Sequence, residues 1–263
     1  MREYSIFTWF GYSLPMPERA KLIKEAGFNT VMLMWSDAFE PYDGPKEKYP
    51  DILRNQGLRI ENIHLPFAKA NNLWMDNLDG VDLFDSYKEY IEDCTKFEIP
   101  VAVMHLTVGD NPNPVNSTGI DRIKKLSDMA AESNIVIALE NLRWWKHLEE
   151  VFEKVDSPGL GFCYDSGHAL LYNEKPYEYP VKFADKLAAL HLHDNMMDKD
   201  EHRIPIEGMI NLHALVDSIV KAGYEGPLSL EVANPKPGEE PLSYLKRAYG
   251  IATVLEKLRH YEY

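Results

Sequence analysis

The sequence predicts a (β/α)8 TIM barrel with a metal site at the carboxyl ends of its strands, and three observations lead to that prediction. Eight short apolar segments alternate with amphipathic charged segments, with no break in composition. Residues able to bind a metal stand at the end of several apolar segments. No Gly-x-Gly-x-x-Gly follows the first segment and no P-loop occurs, which argues against a doubly wound sheet.

The predicted strands and helices alternate in the order that a barrel requires. The eight strands are expected at residues 4–10, 30–35, 58–65, 100–106, 135–140, 160–165, 188–193 and 228–232. Helices are expected at residues 18–26, 82–97, 121–133, 148–155 and 212–222, where apolar positions recur at helical spacing. Gly27, Gly57 and Gly223 follow helical segments at positions typical of a left-handed cap. With 263 residues, 45% of them hydrophobic, residues 1–263 are expected to form one domain.

Charge and cysteine content narrow the classes of protein that the chain can be. The chain has 28 Lys and Arg residues against 42 Asp and Glu residues, and the net charge of −14 argues against a nucleic-acid partner. Cys94 and Cys163 form no Cys-x-x-Cys pair, which suits a reducing compartment. No apolar run is long enough for a signal peptide or a membrane span, so we expect a cytoplasmic protein without a membrane partner.

The polar residues that end the apolar segments should converge on one site. Residues i and i+2 of a strand share a face, so His191 and His193 should point into the barrel while Leu190 and Leu192 point towards the helices. The same alternation predicts that one residue at each of five other strand ends points into the barrel: His64, His105, Glu140, Asp165 and Glu231. In a TIM barrel the carboxyl ends of the strands carry the active site. Six strand ends are therefore predicted to meet there.

Carboxylates gathered at one site indicate a bound cation. Without a cation, mutual repulsion and desolvation would raise their pKa values at a cost in stability. Oxygen and imidazole ligands without a thiolate favour a divalent ion, Zn²⁺ or Mn²⁺ first, with Co²⁺, Fe²⁺ or Mg²⁺ as alternatives. The geometry of the strands does not choose among these ions.

The motifs at the strand ends resemble those of the xylose isomerase-like TIM barrel superfamily, which contains sugar isomerases, sugar epimerases and endonuclease IV. The resemblance covers essentially the whole barrel and rests on ENL (140–142), DSGH (165–168), HLHDN (191–195), DEHRIPIEG (200–208) and LEV (230–232). It implies one metal held by the residues at four positions: Glu140, Asp165, His191 and Glu231. It also implies that His168, and Arg203 or His202, contact the substrate.

A second pattern within the same superfamily leaves a different activity open. Endonuclease IV uses three zinc ions, and nine of its ligand types occur here in order: His64, His105, Glu140, Asp165, His168, His191, Asp200, His202 and Glu231. A trinuclear zinc site that cleaves phosphodiesters is therefore the main alternative. The net charge and the scarcity of Lys and Arg in the loops after the first three strands argue against it.

The expected reaction is proton transfer next to a carbonyl group of an open-chain ketose or sugar acid. The metal would stabilise the charge that develops on the enediolate oxygen. Glu140 and Glu231 would act as the acid/base pair, one removing the proton and the other returning it. Return to the opposite face gives epimerisation, and return to the adjacent carbon gives isomerisation. The epimerases place a second acidic residue soon after the position of Glu140, whereas this chain continues as NLRWWKH, so the reaction stays open.

The remaining residues divide into substrate contacts and structural positions. Substrate contacts are expected from His64, His168, His202, Arg203 and two aromatic residues that would stack on a sugar ring, Trp9 and Trp35. His193 and His213 are expected to be structural. The proline-rich, acidic segment ANPKPGEEP after the last strand favours an unphosphorylated substrate. A barrel that binds a sugar without converting it is a further alternative, and a homo-oligomer is expected only because relatives often form one.

Overall fold

The computed structural model describes residues 2–37 and 42–261. Seven parallel strands, in chain order, form one curled sheet: β1 Ser5–Phe7, β2 Thr30–Met34, β3 Arg59–His64, β4 Val101–Met104, β5 Val136–Glu140, β6 Leu160–Asp165 and β7 Leu187–His191. Each strand pairs with the next along the chain. This arrangement confirms the prediction of a TIM barrel and of its first seven strands, with the first strand shorter than expected.

The segment predicted as the eighth strand closes the barrel without forming a regular strand. Leu230 makes parallel bridges to Ile6 of β1 and to Leu192, just after β7. Phe7 N donates to Leu230 O at 2.9 Å, and Leu192 N donates to Ser229 O at 2.8 Å. These bonds join the two edges of the sheet, so the carboxyl ends of all eight segments surround one opening.

Helices cover the outside of the sheet. The α-helices are α1 Met16–Ala26, α2 Tyr49–Asn55, α3 Leu78–Lys96, α4 Ser117–Glu132, α5 Trp145–Lys154, α6 Ser166–Tyr172, α7 Tyr179–Lys182, α8 Leu212–Lys221 and α9 Pro241–Arg259. Short 3-10 helices occur at Lys46–Lys48, Ala70–Trp74 and Ala184–Lys186. All five predicted helices are present, and His213 lies in α8 as predicted. None of the helices in the described ranges is both long and apolar enough to cross a bilayer.

Side chains of opposite strand faces enter two different cores. Leu190 and Leu192 belong to the large core between the sheet and the helices. Residues two positions before predicted metal ligands form a small core inside the barrel: Val103, Ala138, Cys163 and Ala189. This layer confirms the predicted alternation, and it forms a packed floor beneath the strand ends.

A buried carboxyl group lies inside the barrel near the amino ends of the strands. Glu61 of β3 is 7% exposed, and its Oε1 accepts hydrogen bonds from the hydroxyl groups of Ser5 and Ser229. Burial raises the pKa of Glu61 to about 7, although the two hydroxyl groups oppose that rise. The folded protein therefore binds this proton more tightly than the unfolded chain does.

Stability should fall as pH rises through this range, because Glu61 must ionise while buried. The penalty begins near the unfolded pKa of about 4.5 and is complete above the folded pKa of about 7. We expect Glu61→Gln, which keeps an oxygen for both hydroxyl groups, to raise the free energy of unfolding by roughly 3 kcal/mol at pH 8 and by much less at pH 5. Urea denaturation at both pH values measures this difference. The exposed Glu225→Gln is the control, and an equal gain at pH 5 and pH 8 would contradict the assignment.

Candidate metal and substrate site

Two glutamates and a histidine meet at the centre of the strand ends. His191 Nδ1 lies 3.3 Å from Glu140 Oε2 and 3.2 Å from Glu231 Oε2. All three side chains are buried, yet His191 Nδ1 has no partner with hydrogen-bond geometry among the described residues. Ligand atoms that share a metal at about 2.0–2.2 Å lie about 3 Å apart. The unpartnered nitrogen between two carboxylates therefore has the spacing of a metal ligand.

Asp165 is fixed beside this centre by the end of β6 and the start of α6. Its Oδ1 caps the helix by accepting from His168 N at 2.6 Å, and its Oδ2 lies 3.0 Å from His193 Nε2. Asn141 holds its backbone, donating to Asp165 O at 2.8 Å and accepting from Asp165 N at 2.7 Å. Asp165, His191 and Glu231 offer ligand atoms within 4.8 Å of one another. Asp165 thus completes a set of four donors with Glu140.

A second group of donors shares Glu140. His64 Nε2 and His105 Nε2 lie 3.2 Å and 3.1 Å from Glu140 Oε2, and 3.1 Å from each other. His64 Nδ1 faces its neighbouring carbonyl, Leu65 O, at 2.9 Å, which leaves Nε2 directed at the carboxylate. One carboxylate oxygen within contact distance of two imidazole nitrogens is a second arrangement that suits a cation.

A third group lies at the outer side of the site, on the loop that follows β7. Asp200 Oδ2 lies 3.3 Å from His168 Nε2 and 3.0 Å from His202 Nε2. His202 Nδ1 faces the backbone oxygen of Glu231 at 2.9 Å, and its ring stacks on His193 with centroids 4.1 Å apart. The three groups together contain all nine donors predicted from the sequence, and the fold brings them together.

Glu140 and Glu231 are ionised because imidazoles lie next to them. Burial by itself would raise the pKa of Glu140, but His105 and His191 outweigh it and hold the pKa well below the usual range. Burial likewise opposes ionisation of Glu231, while His191 and His202 lower its pKa to about 2. Both glutamates therefore carry a negative charge at neutral pH and can accept a proton or bind a cation.

Two imidazoles of the site, His168 and His202, compensate this charge by holding protons. Burial disfavours the charged ring of His168, but Asp165, Asp200 and Glu140 raise its pKa well above the usual value. His202 behaves in the same way, with Asp200 and Glu231 raising its pKa to about 9 despite burial. A divalent ion would replace these protons, because a metal binds neutral imidazole. The donor set fits a divalent cation with oxygen and nitrogen ligands.

A cavity of about 290 Å³ opens onto these donors, near the lower end of the range for small-molecule sites. His64, His105, Glu140, His168, Asp200, His202 and Glu231 form its polar side. Three aromatic residues also line the cavity: Trp144, Phe67, which stacks on His105, and Tyr172, which stacks on His168. Arg143 and Asp110 line it as well. A ligand the size of a sugar in this cavity could contact both the candidate metal ligands and aromatic rings.

The structure corrects one predicted substrate contact and leaves two others apart from the cavity. Trp35 is completely buried between the sheet and α3, where its Nε1 donates to Asp93 Oδ2 at 2.9 Å, so the prediction that it stacks on a sugar is wrong. Its strand position turns it outward, one residue after the inward Met34. Arg203 forms a bidentate pair with Glu201 and does not line the cavity. Trp9 packs on the inner cluster near β1 and is likewise outside the cavity lining.

Sequence reasoning missed several residues of the site. His193 was predicted to be structural, but it contacts Asp165 and groups with Asp200 and His202 as a further candidate donor. Its inward position, two residues after His191, was the available signal. Phe67 and Tyr172 line the cavity from loops and helix ends, where no strand periodicity points to them.

Gly167 provides space for His193. A Cβ atom at Gly167 would lie 1.9 Å from His193 Cε1, so the ring would have to move away from Asp165. We expect Gly167→Ala to destabilise the protein by roughly 1–3 kcal/mol and to weaken metal binding. Thermal unfolding and metal titration measure the two effects. Gly250→Ala in α9 is the matched control, because its Cβ would meet nothing within 4 Å and should stabilise by about 0.5–1 kcal/mol. Equal stability of the two variants would contradict the assigned contact.

The barrel and its cluster of buried acidic and imidazole donors define a TIM barrel with a candidate metal centre at the strand carboxyl ends. A family model described as xylose isomerase-like TIM barrel matches residues 20–254. The chain belongs to this family, as its motifs indicated.

Similar proteins include enzymes of more than one kind. A 3-dehydroshikimate dehydratase from Pseudomonas putida is 24% identical over 83% of this chain and 36% of that protein. A 2-oxo-tetronate isomerase from Haemophilus influenzae is 24% identical over 83% of this chain and 88% of that protein. The solved structure of an L-ribulose 3-epimerase superposes with a TM-score of 0.81 at 15% identity, covering 98% of this chain and 96% of the other. The relatives support an enzyme, and the structural match supports the fold.

Proposed function

We propose that this protein is a divalent-metal-dependent isomerase or epimerase that acts on an open-chain ketose or sugar acid. The observation that supports it most directly is the position of Glu140 and Glu231, whose carboxylates flank His191 Nδ1 at 3.3 Å and 3.2 Å beside the cavity. A reaction that removes a proton and returns it elsewhere needs two such groups. The relatedness to a 2-oxo-tetronate isomerase supports the same class of reaction.

The metal would be held by Glu140, Asp165, His191 and Glu231. A divalent ion bound there supplies positive charge that stabilises the negative charge developing on a substrate oxygen when the adjacent C–H proton is removed. The four donors come from neighbouring strands and the closing segment, so the barrel itself fixes their spacing.

Glu140 and Glu231 would perform the proton transfers. Their low pKa values leave both carboxylates ionised, so either can accept a proton from a substrate carbon. His168 and His202 line the same cavity and can donate hydrogen bonds to substrate oxygens.

The test combines metal analysis with proton exchange. Protein purified without added metal and then reconstituted with Mn²⁺, Co²⁺ or Zn²⁺ should bind about one tight ion per chain and exchange a substrate C–H proton with D₂O in a panel of ketoses and 2-keto sugar acids. Metal-dependent exchange with any member supports the proposal. Stabilisation by a ligand without exchange in the presence of any metal would instead indicate a sugar-binding barrel and would overturn it.

A trinuclear zinc phosphodiesterase is the second candidate, and one observation favours it. His64 and His105 contact Glu140, while Asp200 contacts His168 and His202, so two further donor groups adjoin the central one. Binding of about three zinc ions per chain together with cleavage of DNA at an abasic site would favour this function. The net charge of −14 and the single Lys or Arg side chain among the described residues that line the cavity argue against a nucleic-acid substrate.

A further inference from the structure

Arg143 has an unusual position in the cavity. Among the described lining residues it is the only Lys or Arg, and the same cavity is lined by several carboxylates and imidazoles. It lies on the loop between β5 and α5, three residues after Glu140. Arg143 cannot bind the proposed metal, because a guanidinium group is always protonated and offers no lone pair. Its charge is therefore available to a ligand.

The guanidinium is held in place without being saturated. Its Cζ lies 5.6 Å from the centroid of the Tyr172 ring, and that ring stacks on His168 with centroids 6.3 Å apart. Within the described part of the chain it donates to one acceptor, Asp110 Oδ1, through Nη1. A guanidinium has five N–H donors, so most of them remain free to bind a ligand. Tyr172 therefore contacts both His168, one of the candidate metal ligands, and the guanidinium of Arg143.

The ion pair between Arg143 and Asp110 is weak enough for a ligand to displace it. The side chains of Arg143 and Asp110 are 53% and 75% exposed, and exposed ion pairs of this kind contribute about 0–1 kcal/mol. A planar carboxylate matches the guanidinium fork with two parallel hydrogen bonds. Binding of a carboxylate would therefore gain more than the loss or rearrangement of the Asp110 contact costs.

We propose that Arg143 forms a carboxylate subsite, so that the substrate class is a short sugar acid whose carbonyl lies at the metal donors and whose carboxylate pairs with Arg143. This inference rests on the proposed function, because it assigns the other end of the same substrate. A phosphate group fits less well. Asp110, which pairs with Arg143, would repel a doubly charged phosphate more strongly than a singly charged carboxylate.

The test compares binding of matched acids and neutral sugars to the metal-loaded protein. Calorimetric titration with five- and six-carbon keto sugar acids whose carboxylate and carbonyl stand at opposite ends of the chain, the neutral ketoses of equal length and the corresponding ketose phosphates gives affinities that need no turnover. At least one acid should bind more tightly than its neutral counterpart. Arg143→Gln should weaken that acid about tenfold or more and leave neutral ketoses within about twofold, while Arg143→Lys should recover part of the affinity. The exposed Lys146→Gln, three residues further along, is the control and should change neither.

Each outcome separates this inference from the proposed function. Acid binding that depends on Arg143, without C–H exchange in D₂O, would support the subsite and overturn the isomerase. Exchange with neutral ketoses, together with no preference for acids or an unchanged preference in Arg143→Gln, would overturn the subsite and support the isomerase. Tightest binding of ketose phosphates would also overturn the carboxylate assignment.

Discussion

Glu231→Gln should lower the rate of substrate C–H exchange by about 10³-fold or more. The substitution keeps the size of the side chain but removes the negative charge next to His191 Nδ1, so the group can no longer take a proton from carbon. It also removes one of the four proposed metal ligands, and loss of a ligand weakens the affinity for metal. Both losses act on the same step, which makes this the largest effect on activity that we expect for a single substitution.

Two measurements distinguish these losses. Elemental analysis gives the metal content per chain, and exchange measured at saturating metal gives the rate with the site filled. If the metal content falls and added metal does not restore exchange, Glu231 has both proposed roles. Glu225→Gln, an exposed glutamate at the opposite end of the barrel, should keep metal content and rate unchanged. Exchange at the wild-type rate in Glu231→Gln would remove Glu231 from the mechanism.

Asp194→Asn should produce the largest loss of stability. Asp194 is fully buried, and its two carboxylate oxygens accept five backbone N–H groups of the loop after β7, from Asn195, Ile206, Gly208, Met209 and Ile210 at 2.8–3.0 Å. An amide group would turn N–H donors towards at least two of those N–H groups. Each buried donor without an acceptor costs about 1–3 kcal/mol, so we expect a loss of roughly 3 kcal/mol or more.

The same substitution should release the outer donors of the site. The loop contains three non-glycine residues with positive φ, Met197, His202 and Ile206, and such conformations persist only where the surroundings enforce them. Asp194 supplies much of that restraint, and the loop carries Asp200 and His202 to the cavity. We therefore expect Asp194→Asn to weaken metal binding by about tenfold or more even at temperatures where the barrel remains folded.

Denaturation in urea and metal titration measure the two effects separately. Asp198→Asn is the control, because Asp198 is exposed on the same loop and should leave stability within about 0.5 kcal/mol of the wild type. An Asp194→Asn protein that is less stable but binds metal normally would show that the loop keeps its position without the carboxylate. Unchanged stability would contradict the importance of the five hydrogen bonds.

Strand periodicity was sufficient to predict much of the site. Because side chains alternate along a strand, the inward direction of His64, His105, Glu140, Asp165 and His191 follows from counting, and the structure brings these residues together. The closing segment was harder to assign, since Glu231 reaches the site through isolated bridges rather than a regular strand. The apolar residues next to Glu231 in the sequence nevertheless predicted correctly that this segment is buried.

Loop residues were not predictable in the same way. Trp35 follows the end of a strand, which suggested that it could stack on a sugar. Its side chain points outward instead and packs in the core between the sheet and the helices, so residue type and strand-end position did not predict its role. Arg143 and Tyr172 approach each other only because the ends of β5 and β6 are adjacent in the sheet. Asp194 appeared as one more residue of HLHDN, and its five backbone partners lie up to sixteen residues further along the chain.

The sequence by itself determined the class of fold, the order of the strands and six candidate metal ligands at strand ends. It could do so because alternation, helical spacing and strand-end chemistry are local properties of the chain. The resemblance to endonuclease IV added the other three candidates, His168, Asp200 and His202. Only the tertiary structure decided which donors lie next to the same carboxylate oxygen, which aromatic rings line the cavity, and that Arg143 lines it beside Tyr172. Those relations depend on how strands close into a barrel and how loops fold over its end, and such long-range geometry leaves no periodic signal in a single sequence.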